Sequence, residues 1–411
     1  MADPIRADVC IAGGGPAGIM LGLLLARSGV DVVVLEKHAD FFRDFRGDTV
    51  HPSTLNLIDA LGLRDGFEAI PHTPLPALDA VINGVRVHAI DLSTLPPPNR
   101  HLALMPQWDL LDLLAKAAAR HPSFRLIMGA EATDVVRHSG RVGGVRARTA
   151  EGELVVGAAL TVAADGRDSR TRAALGLTPR AYGVPIDVLW FRVPTPAVPL
   201  PDTLLWGTEE GLLVTIPRPG YLQCGLLIRK GTWQAVRVAG IDAFRARVVR
   251  SVPPLAGVVE GISSLDDVRL LAVQIDRLPT WRIPGALCIG DAAHAMSPAF
   301  GVGINYAIQD AVATANALVP VLQASPSARA IDRALGVVQR RRTLPTALMQ
   351  RLQRIAHRTI ASGRGVRLLH NPPTRRERVV MRLLLPLLRP VAARVLGYGF
   401  RPERIRTSPR A

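Results

Sequence analysis

The sequence predicts an α/β protein in which a parallel-sheet domain is interrupted by a second, mixed β-sheet and followed by a helical C-terminal segment. Three observations carry this. A strand, glycine turn, helix and strand follow one another from Ala7 to Glu36, the size of one βαβ crossover. Short β-like runs punctuated by Pro and Gly fill the stretch from Ala181 to Asp276. Beyond Arg340 the composition turns to arginine and leucine.

Taken in order, Ala7 to Ala12 is a short apolar strand, Ala17 to Ser28 a helix stopped by Gly29, and Asp31 to Glu36 a valine-rich strand. Pro52 to Leu61 and Pro106 to Arg120 read as helices, Glu153 to Ala164 as strand-rich, and Ala286 to Gly290 as a short buried strand. Gly303 to Leu318 is a helix with small residues on one face, and Leu212 to Ile216 and Leu222 to Ile228 belong to the inserted sheet. This order implies a discontinuous first domain (1–75, 100–180 and 271–339), an inserted domain (76–99 and 181–270) and a basic C-terminal helical segment (340–411).

The chemistry sits in three glycine-containing loops. Gly13-x-Gly15-x-x-Gly18 lies between the first strand and the first helix, where glycines allow a tight turn and let helix N-terminal amides approach a pyrophosphate. Glu36 stands 18 residues beyond Gly18, at the end of the second strand, where a carboxylate can accept from a ribose diol. This is a dinucleotide fingerprint, and it does not separate FAD from NAD. Asp165-Gly166-Arg167-Asp168-Ser169-Arg170-Thr171-Arg172 follows a second strand. Gly290-Asp291-Ala292-Ala293-His294 follows a third and leads through Ser297-Pro298-x-x-Gly301-x-Gly303-x-Asn305 into a helix. There Asp291 can hold a ribityl hydroxyl while amides near Ile304 and Asn305 face the edge of a flavin ring and stabilise negative charge on it.

These motifs, in this order, resemble the family of para-hydroxybenzoate hydroxylase and the polyprenylphenol hydroxylases, over about residues 5 to 320. The resemblance implies a Rossmann-type FAD-binding domain with an inserted mixed β-sheet substrate domain. It implies a single-component monooxygenase in which NADH or NADPH reduces FAD, O₂ adds at flavin C4a, and the hydroperoxide hydroxylates a small aromatic substrate. Cofactor contacts then fall on Gly13, Gly15, Pro16, Ala17, Gly18, Glu36, Lys37, Asp165, Asp291, Pro298, Gly303, Ile304 and Asn305. Arg46 matches a family arginine at the flavin diphosphate and Gln107 a glutamine beside the ribityl chain, while Ser169 and Arg172 share the Asp-Gly motif's role toward FAD and the nicotinamide nucleotide. The nicotinamide nucleotide is expected to dock transiently beside FAD, with no Rossmann unit of its own.

No substrate base is assigned. His51, Asp48 and Pro298 are the candidates near the reacting centre, a histidine being suited by a pKa near working pH. His51 equally suits the start of the following helix, and His294 reads as structural or cofactor-adjacent. The substrate lining is sought among Trp190, Arg192, Trp206, Leu213, Arg218 and Cys224, with strand alternation leaving open which of them face inward. A dehydrogenase or reductase on the same scaffold is the alternative activity. A flavin-dependent halogenase is weaker: Trp281-Arg282-Ile283-Pro284 supplies half of its tryptophan motif, but Pro279 stands where the first tryptophan belongs.

Cys10, Cys224 and Cys288 are far apart, two of them in apolar runs, and read as inert core residues. The glycine cluster and Arg27 argue against a signal peptide, and no apolar stretch reaches membrane-span length, so a cytoplasmic protein is expected. The formal net charge of +16 resides in the segment from Arg340 to Ala411, which holds 18 arginines and two acids. These arginines are read as solvated helix faces, with weak attachment to anionic lipid as the sharper reading and no role in nucleic-acid binding. Leu383, Leu384, Leu387 and Leu388 are expected to bury against the body or a second subunit, with Pro386 and Pro390 breaking any long helix; a monomer or homodimer fits equally.

Overall fold

The computed structural model describes the chain except residues 1–4, 43–48, 83, 198–199, 201–204, 209–210, 219, 325–326, 363–388 and 410–411. Its first sheet runs in the order Arg282–Ile283, Ala286–Cys288, Gly152–Ala163, Ile5–Ala12, Val32–Glu36, Phe124–Met128. From Ala286–Cys288 to Phe124–Met128 neighbouring strands are parallel, and Glu131–His138 and Arg141–Thr149 extend the sheet as an antiparallel ribbon. Parallel strands are buried on both faces and so read as continuous apolar runs rather than alternating ones: Val9 to Ala12 and Val32 to Leu35 are at most 1% exposed. Helix Pro16–Arg27 crosses between the first two strands. Proline at its first position is pre-set for helix, and every residue from Ala17 to Ala26 is buried. Helix Gly303–Leu322 packs along it.

The second sheet has the order Arg269–Leu271, Ile186–Pro194, Tyr221–Arg229, Gly211–Arg218, Leu205–Thr208, Ala77–Ile82, Val85–Asp91. It thus draws strands from both sides of the Gly152–Ala163 strand in the chain. One face buries Leu189, Phe191, Leu213, Cys224 and Leu226 against Phe244 and Val248 of helix Trp233–Ser251. The opposite face packs Ile216, Val214 and Trp190 toward Met296, Val302 and Tyr306 of the first unit.

The chain then forms one helix, Ala328–Ala361, that runs through position 340 without a break and contains Pro345. The boundary placed at 339/340 therefore corresponds to no structural division. Residues 389–398 are helical and include Pro390, and 401–409 form a tail without regular secondary structure. That tail lies on helix Gly303–Leu322, where Asn316 Nδ2 donates to Arg404 O (2.8 Å) and Arg406 N donates to Asn316 Oδ1 (2.9 Å). Leu383, Leu384, Pro386, Leu387 and Leu388 lie outside the described residues. Among the described residues no helix is long and apolar enough to cross a membrane.

Candidate active site

The three loops leave the same edge of the sheet, because Ala12 is registered beside Ala163 and Ala163 beside Cys288. This is the carboxyl edge of a parallel sheet, at the place where the chain switches direction of travel, the position where such sheets bind ligands. Gly13 has φ +104°, and a Cβ there would sit 2.4 Å from Ala164 O; a Cβ on Gly18 would sit 1.9 Å from Gly13 O. Both are dictated by close backbone packing. Gly15 differs: no atom lies within 4 Å of where its Cβ would be, and the same is true of Gly166 and Gly303. Each of the three loops thus keeps one glycine beside open space.

Neither helix Pro16–Arg27 nor helix Gly303–Leu322 has a side-chain cap, so the positive end of each dipole is left to whatever occupies that space. Ile304 and Asn305 lie in the first turn of the second of these helices. Glu36 is buried and binds the glycine loop directly, its Oε2 accepting from Gly14 N (2.9 Å) and its Oε1 from His38 N (3.0 Å). Lys37 next to it is exposed.

The Asp165 carboxylate turns back into its own loop, accepting from the Ser169 hydroxyl and from Thr171 N (3.0 Å). Arg172 ties this loop to the next by donating to Arg167 O (2.7 Å) and Ala292 O (3.2 Å). Arg167 Nε donates to Asp291 Oδ2 (3.1 Å), and both side chains keep partial exposure. Gly290, at φ +58°, brings this loop against the fingerprint helix, where a Cβ would lie 3.2 Å from that of Ala17. Gln107 is half-buried at the start of helix Gln107–Ala118, and Asp109 in the same first turn has a raised pKa, from burial first and from Asp112 second, against the lowering effect of Arg218. Arg218 is thereby placed within electrostatic reach of this helix start.

Behind the Gly290-Asp291 turn sits a buried ionic cluster. Asp310 accepts from Gly290 N (3.1 Å), His294 Nε2 (2.5 Å) and Arg342 Nε (2.8 Å), with Asp310 and Arg342 at most 1% exposed. Burial alone would raise the Asp310 carboxyl, but His294 and Arg342 together hold it below its usual value. His294 lies 5.0 Å from the Trp281 ring and belongs to this cluster, which supports the loop from beneath.

The segment Ser297 to Val302 is held from two sides. Gln353 Nε2 donates to Ser297 O and Ala299 O (3.0 and 2.9 Å), and Ser297 Oγ pairs with His357 Nε2 at 2.8 Å. Phe300 takes φ +70°, a left-handed conformation uncommon for a bulky residue, while Pro298 and Phe300 stay exposed. Asn305 Oδ1 accepts from His51 N (3.1 Å) and Thr54 Oγ1 (2.6 Å).

His51 is fully buried, its Nδ1 2.8 Å from Leu396 O and its Nε2 3.1 Å from Gly301 O. With both ring nitrogens against backbone carbonyls it has no face for a substrate proton, so it joins helix 389–398 to the Gly301 turn rather than serving as a base. Burial, opposed by those carbonyls, pushes its pKa down to about 4. The unfolded histidine, near 6.5, then binds a proton that the fold excludes. Stability is accordingly complete above about pH 6.5 and falls with pH toward 4, by about 1.4 kcal/mol per pH unit per such group. His357, also held near 4, acts in the same direction. Urea unfolding at pH 7 and pH 5 is expected to show this loss, and a shallower one in His51→Gln; equal slopes would remove His51 as a cause.

Strand alternation divides the substrate candidates. Trp206, Leu213 and Cys224 lie in the core beneath helix Trp233–Ser251, with Trp206 Nε1 donating to Thr215 Oγ1 (3.0 Å), and cannot line a cleft. Trp190, Arg192 and Arg218 are on the opposite face. Trp190 lies across Gly225, whose Cβ would fall 2.2 Å from its ring, and Arg192 sits 5.1 Å from the Tyr221 ring. Cys10, Cys224 and Cys288 are free and buried; burial raises the Cys10 thiol pKa to about 12 and pushes those of Cys224 and Cys288 up as well, away from the reactive thiolate form. Arg46 and Asp48 lie outside the described residues.

Sequence reasoning missed Asp310, Arg342, Gln353, His357 and Glu403. Arg342 reads in sequence as one of the solvated arginines, yet it falls on the buried stripe Leu335, Val338, Arg342, Pro345, Met349, Gln353, His357 of the long helix, a spacing of three and four that was available as a signal. Glu403, one of the two acids of the basic segment, is buried and pairs with Arg341 Nε at 2.7 Å.

Three open glycines, two uncapped helix ends and a part-exposed carboxylate along one sheet edge fit an extended dinucleotide such as FAD. The family model described as "FAD binding domain" matches residues 6–351. A 6-methylpretetramide 4-monooxygenase of Streptomyces rimosus is 32% identical over 408 residues, covering 99% of this chain and 96% of the relative. Among solved structures, OxyS anhydrotetracycline hydroxylase from Streptomyces rimosus superposes with a TM-score of 0.73 at 22% identity, covering 96% of this chain and 76% of that one. The myxobacterial chondrochloren halogenase CndH gives 0.75 at 21% identity over 98% and 95% of the two chains, a likeness of fold alone.

Proposed function

This chain belongs to the FAD-binding-domain family of flavoprotein aromatic hydroxylases, and on that premise we propose that it hydroxylates a fused polycyclic phenol. It is an FAD-dependent monooxygenase that uses a reduced nicotinamide nucleotide and O₂ on a small aromatic substrate. The observation that carries the substrate reading is the full-length similarity to an enzyme whose named substrate is a pretetramide.

When bound, FAD accepts hydride from the nicotinamide and activates O₂ for transfer of one oxygen atom. The residues of this chain that would hold it are the Gly13–Gly18 turn with Glu36 behind it, the Asp165 and Asp291 loops joined by Arg172, and the amides of Gly303, Ile304 and Asn305. The uncapped helix end at Gly303 favours negative charge on whatever lies against it. Ile216, Met296, Val302, Leu102 and Leu104 form an apolar wall between the sheets and exclude water from the reacting region. Trp190 offers a flat surface to fused rings, and Arg192 and Arg218 offer positive charge to a phenolate, which is the electron-rich form. In this reading residues 1–75, 100–180 and 271–339 serve the flavin and 76–99 and 181–270 the substrate, in keeping with the two sheets.

The test is anaerobic reduction of the FAD-loaded protein by NADH and NADPH with and without fused-ring phenols, followed by reaction with isotopically labelled O₂. A phenol that accelerates reduction and leaves with one labelled oxygen atom is expected. Steady flavin turnover with no labelled product from any phenol would mean a dehydrogenase or reductase.

A further inference from the structure

Between helix Ala328–Ala361 and strand Ile275–Arg277 lies a cavity of about 380 Å³, lined by Tyr182, Arg277, Gln350, Arg351, Arg354 and Arg358. Four of these are guanidinium groups, and no carboxylate lines the cavity among the described residues. Arg277 is positioned by donating to Gln350 Oε1 (2.7 Å) and to the Tyr182 hydroxyl (3.0 Å). Its carbon centre and that of Arg354 lie 5.3 and 5.2 Å from the Tyr182 ring centroid. Arg354 Nε is buried without a hydrogen-bond partner among the described residues. A buried guanidinium nitrogen left unsatisfied is costly, and several like charges gathered round one concavity are costly again; an anion relieves both.

The cavity communicates with the flavin-side loop through shared side chains. Gln350, which lines it, donates to Asp276 O and Ala295 O (2.6 and 3.0 Å), and Gln353, beside Arg354, holds Ser297 and Ala299. An anion seated here is therefore linked through Gln350, a cavity residue, to Ala295, two residues before Ser297. Its volume lies within the roughly 300–1,000 Å³ usual for small-ligand sites. Arginines suit phosphate because the planar fork donates two parallel hydrogen bonds.

We propose that this cavity binds the 2′-phosphorylated adenosine end of NADPH, and that the enzyme prefers NADPH to NADH for that reason. The proposal rests on the reading that a nicotinamide nucleotide reduces the flavin. It adds where the nucleotide's distal end is held and which coenzyme is selected.

The probe is adenosine 2′,5′-bisphosphate, titrated calorimetrically into the FAD-loaded protein alongside inorganic phosphate, with wild type compared to Arg354→Gln/Arg358→Gln and to Arg358→Gln alone. The bisphosphate is expected to bind and to compete with NADPH. The double variant is expected to weaken both it and NADPH on the order of tenfold or more, as for loss of charge-assisted bonds to phosphate, so that the preference over NADH in anaerobic flavin reduction collapses. Arg358→Gln, at an exposed position, should move the same ratio in the same direction and guards against misfolding of the double variant. Equal affinities in wild type and Arg358→Gln would overturn the proposal. So would inorganic phosphate binding as tightly as the bisphosphate without competing with NADPH, which marks an adventitious anion site. If arginine-dependent bisphosphate binding persists while neither coenzyme reduces the flavin, the nucleotide site stands and the monooxygenase reading falls.

Discussion

Gly15→Val is expected to yield a folded protein that carries no flavin. Nothing lies within 4 Å of the position a Cβ would take at Gly15, so the fold itself accommodates the branch. The same space is where the turn and the uncapped helix end would receive a pyrophosphate, and a valine side chain fills it. FAD affinity should fall by at least about a hundredfold, equivalent to roughly 3 kcal/mol of lost binding. The measurements are the flavin absorbance of the purified protein and the dissociation constant on reconstitution, with circular dichroism to establish folding. Retention of full flavin by a folded Gly15→Val protein would remove the pyrophosphate from this turn. Gly18→Ala gives the opposite pattern. Its Cβ would meet Gly13 O at 1.9 Å, so this variant should lose stability before flavin affinity can be measured.

Arg342→Ala is expected to be the most destabilising single change in the arginine-rich segment. It removes one partner of an Asp310 carboxylate that is 0% exposed and leaves the charge to His294 and one backbone amide. Breaking a buried pair in this way costs about 3–5 kcal/mol. Arg341→Ala, which breaks a pair with Glu403 from a part-exposed position, should cost about 1 kcal/mol or less. Denaturant midpoints of the two variants, measured side by side, test the contrast, and an Arg342→Ala protein within 1 kcal/mol of Arg341→Ala would contradict it. Because Asp310 is held below its ordinary pKa, its contribution is present above the unfolded carboxylate value near 4 and is lost as pH falls through the folded one. The cluster underlies the Gly290-Asp291 turn, so partial loss of flavin from Arg342→Ala should accompany loss of stability.

The carboxyl-edge site was legible in the sequence because its determinants are local. A glycine turn between an apolar strand and a helix beginning at Pro16 needs only neighbours in the chain, and the three loops at Gly13, Asp165 and Gly290 each follow a buried parallel strand whose apolar run is unambiguous. Their order along the chain carries the family resemblance, and FAD and oxygen chemistry are what that resemblance implies.

Tertiary structure alone decided the rest. Which face of the inserted sheet meets the flavin loops depends on where helix Trp233–Ser251 packs, and that placement put Trp206, Leu213 and Cys224 in its core and Trp190, Arg192 and Arg218 opposite. Alternation gives two faces and no means of choosing between them. His51 reads as a base by its chemistry and is fixed as a strut by carbonyls from Gly301 and Leu396, hundreds of residues away in the chain. Arg342 carries the same letter as the exposed arginines around it, and what makes it structural is the carboxylate of Asp310 on another helix. Local pattern determined the cofactor-binding turns, where backbone conformation and helix polarity do the work over a few residues. The roles of charged and aromatic side chains were set by burial and by partners distant in the chain, which no local pattern contains.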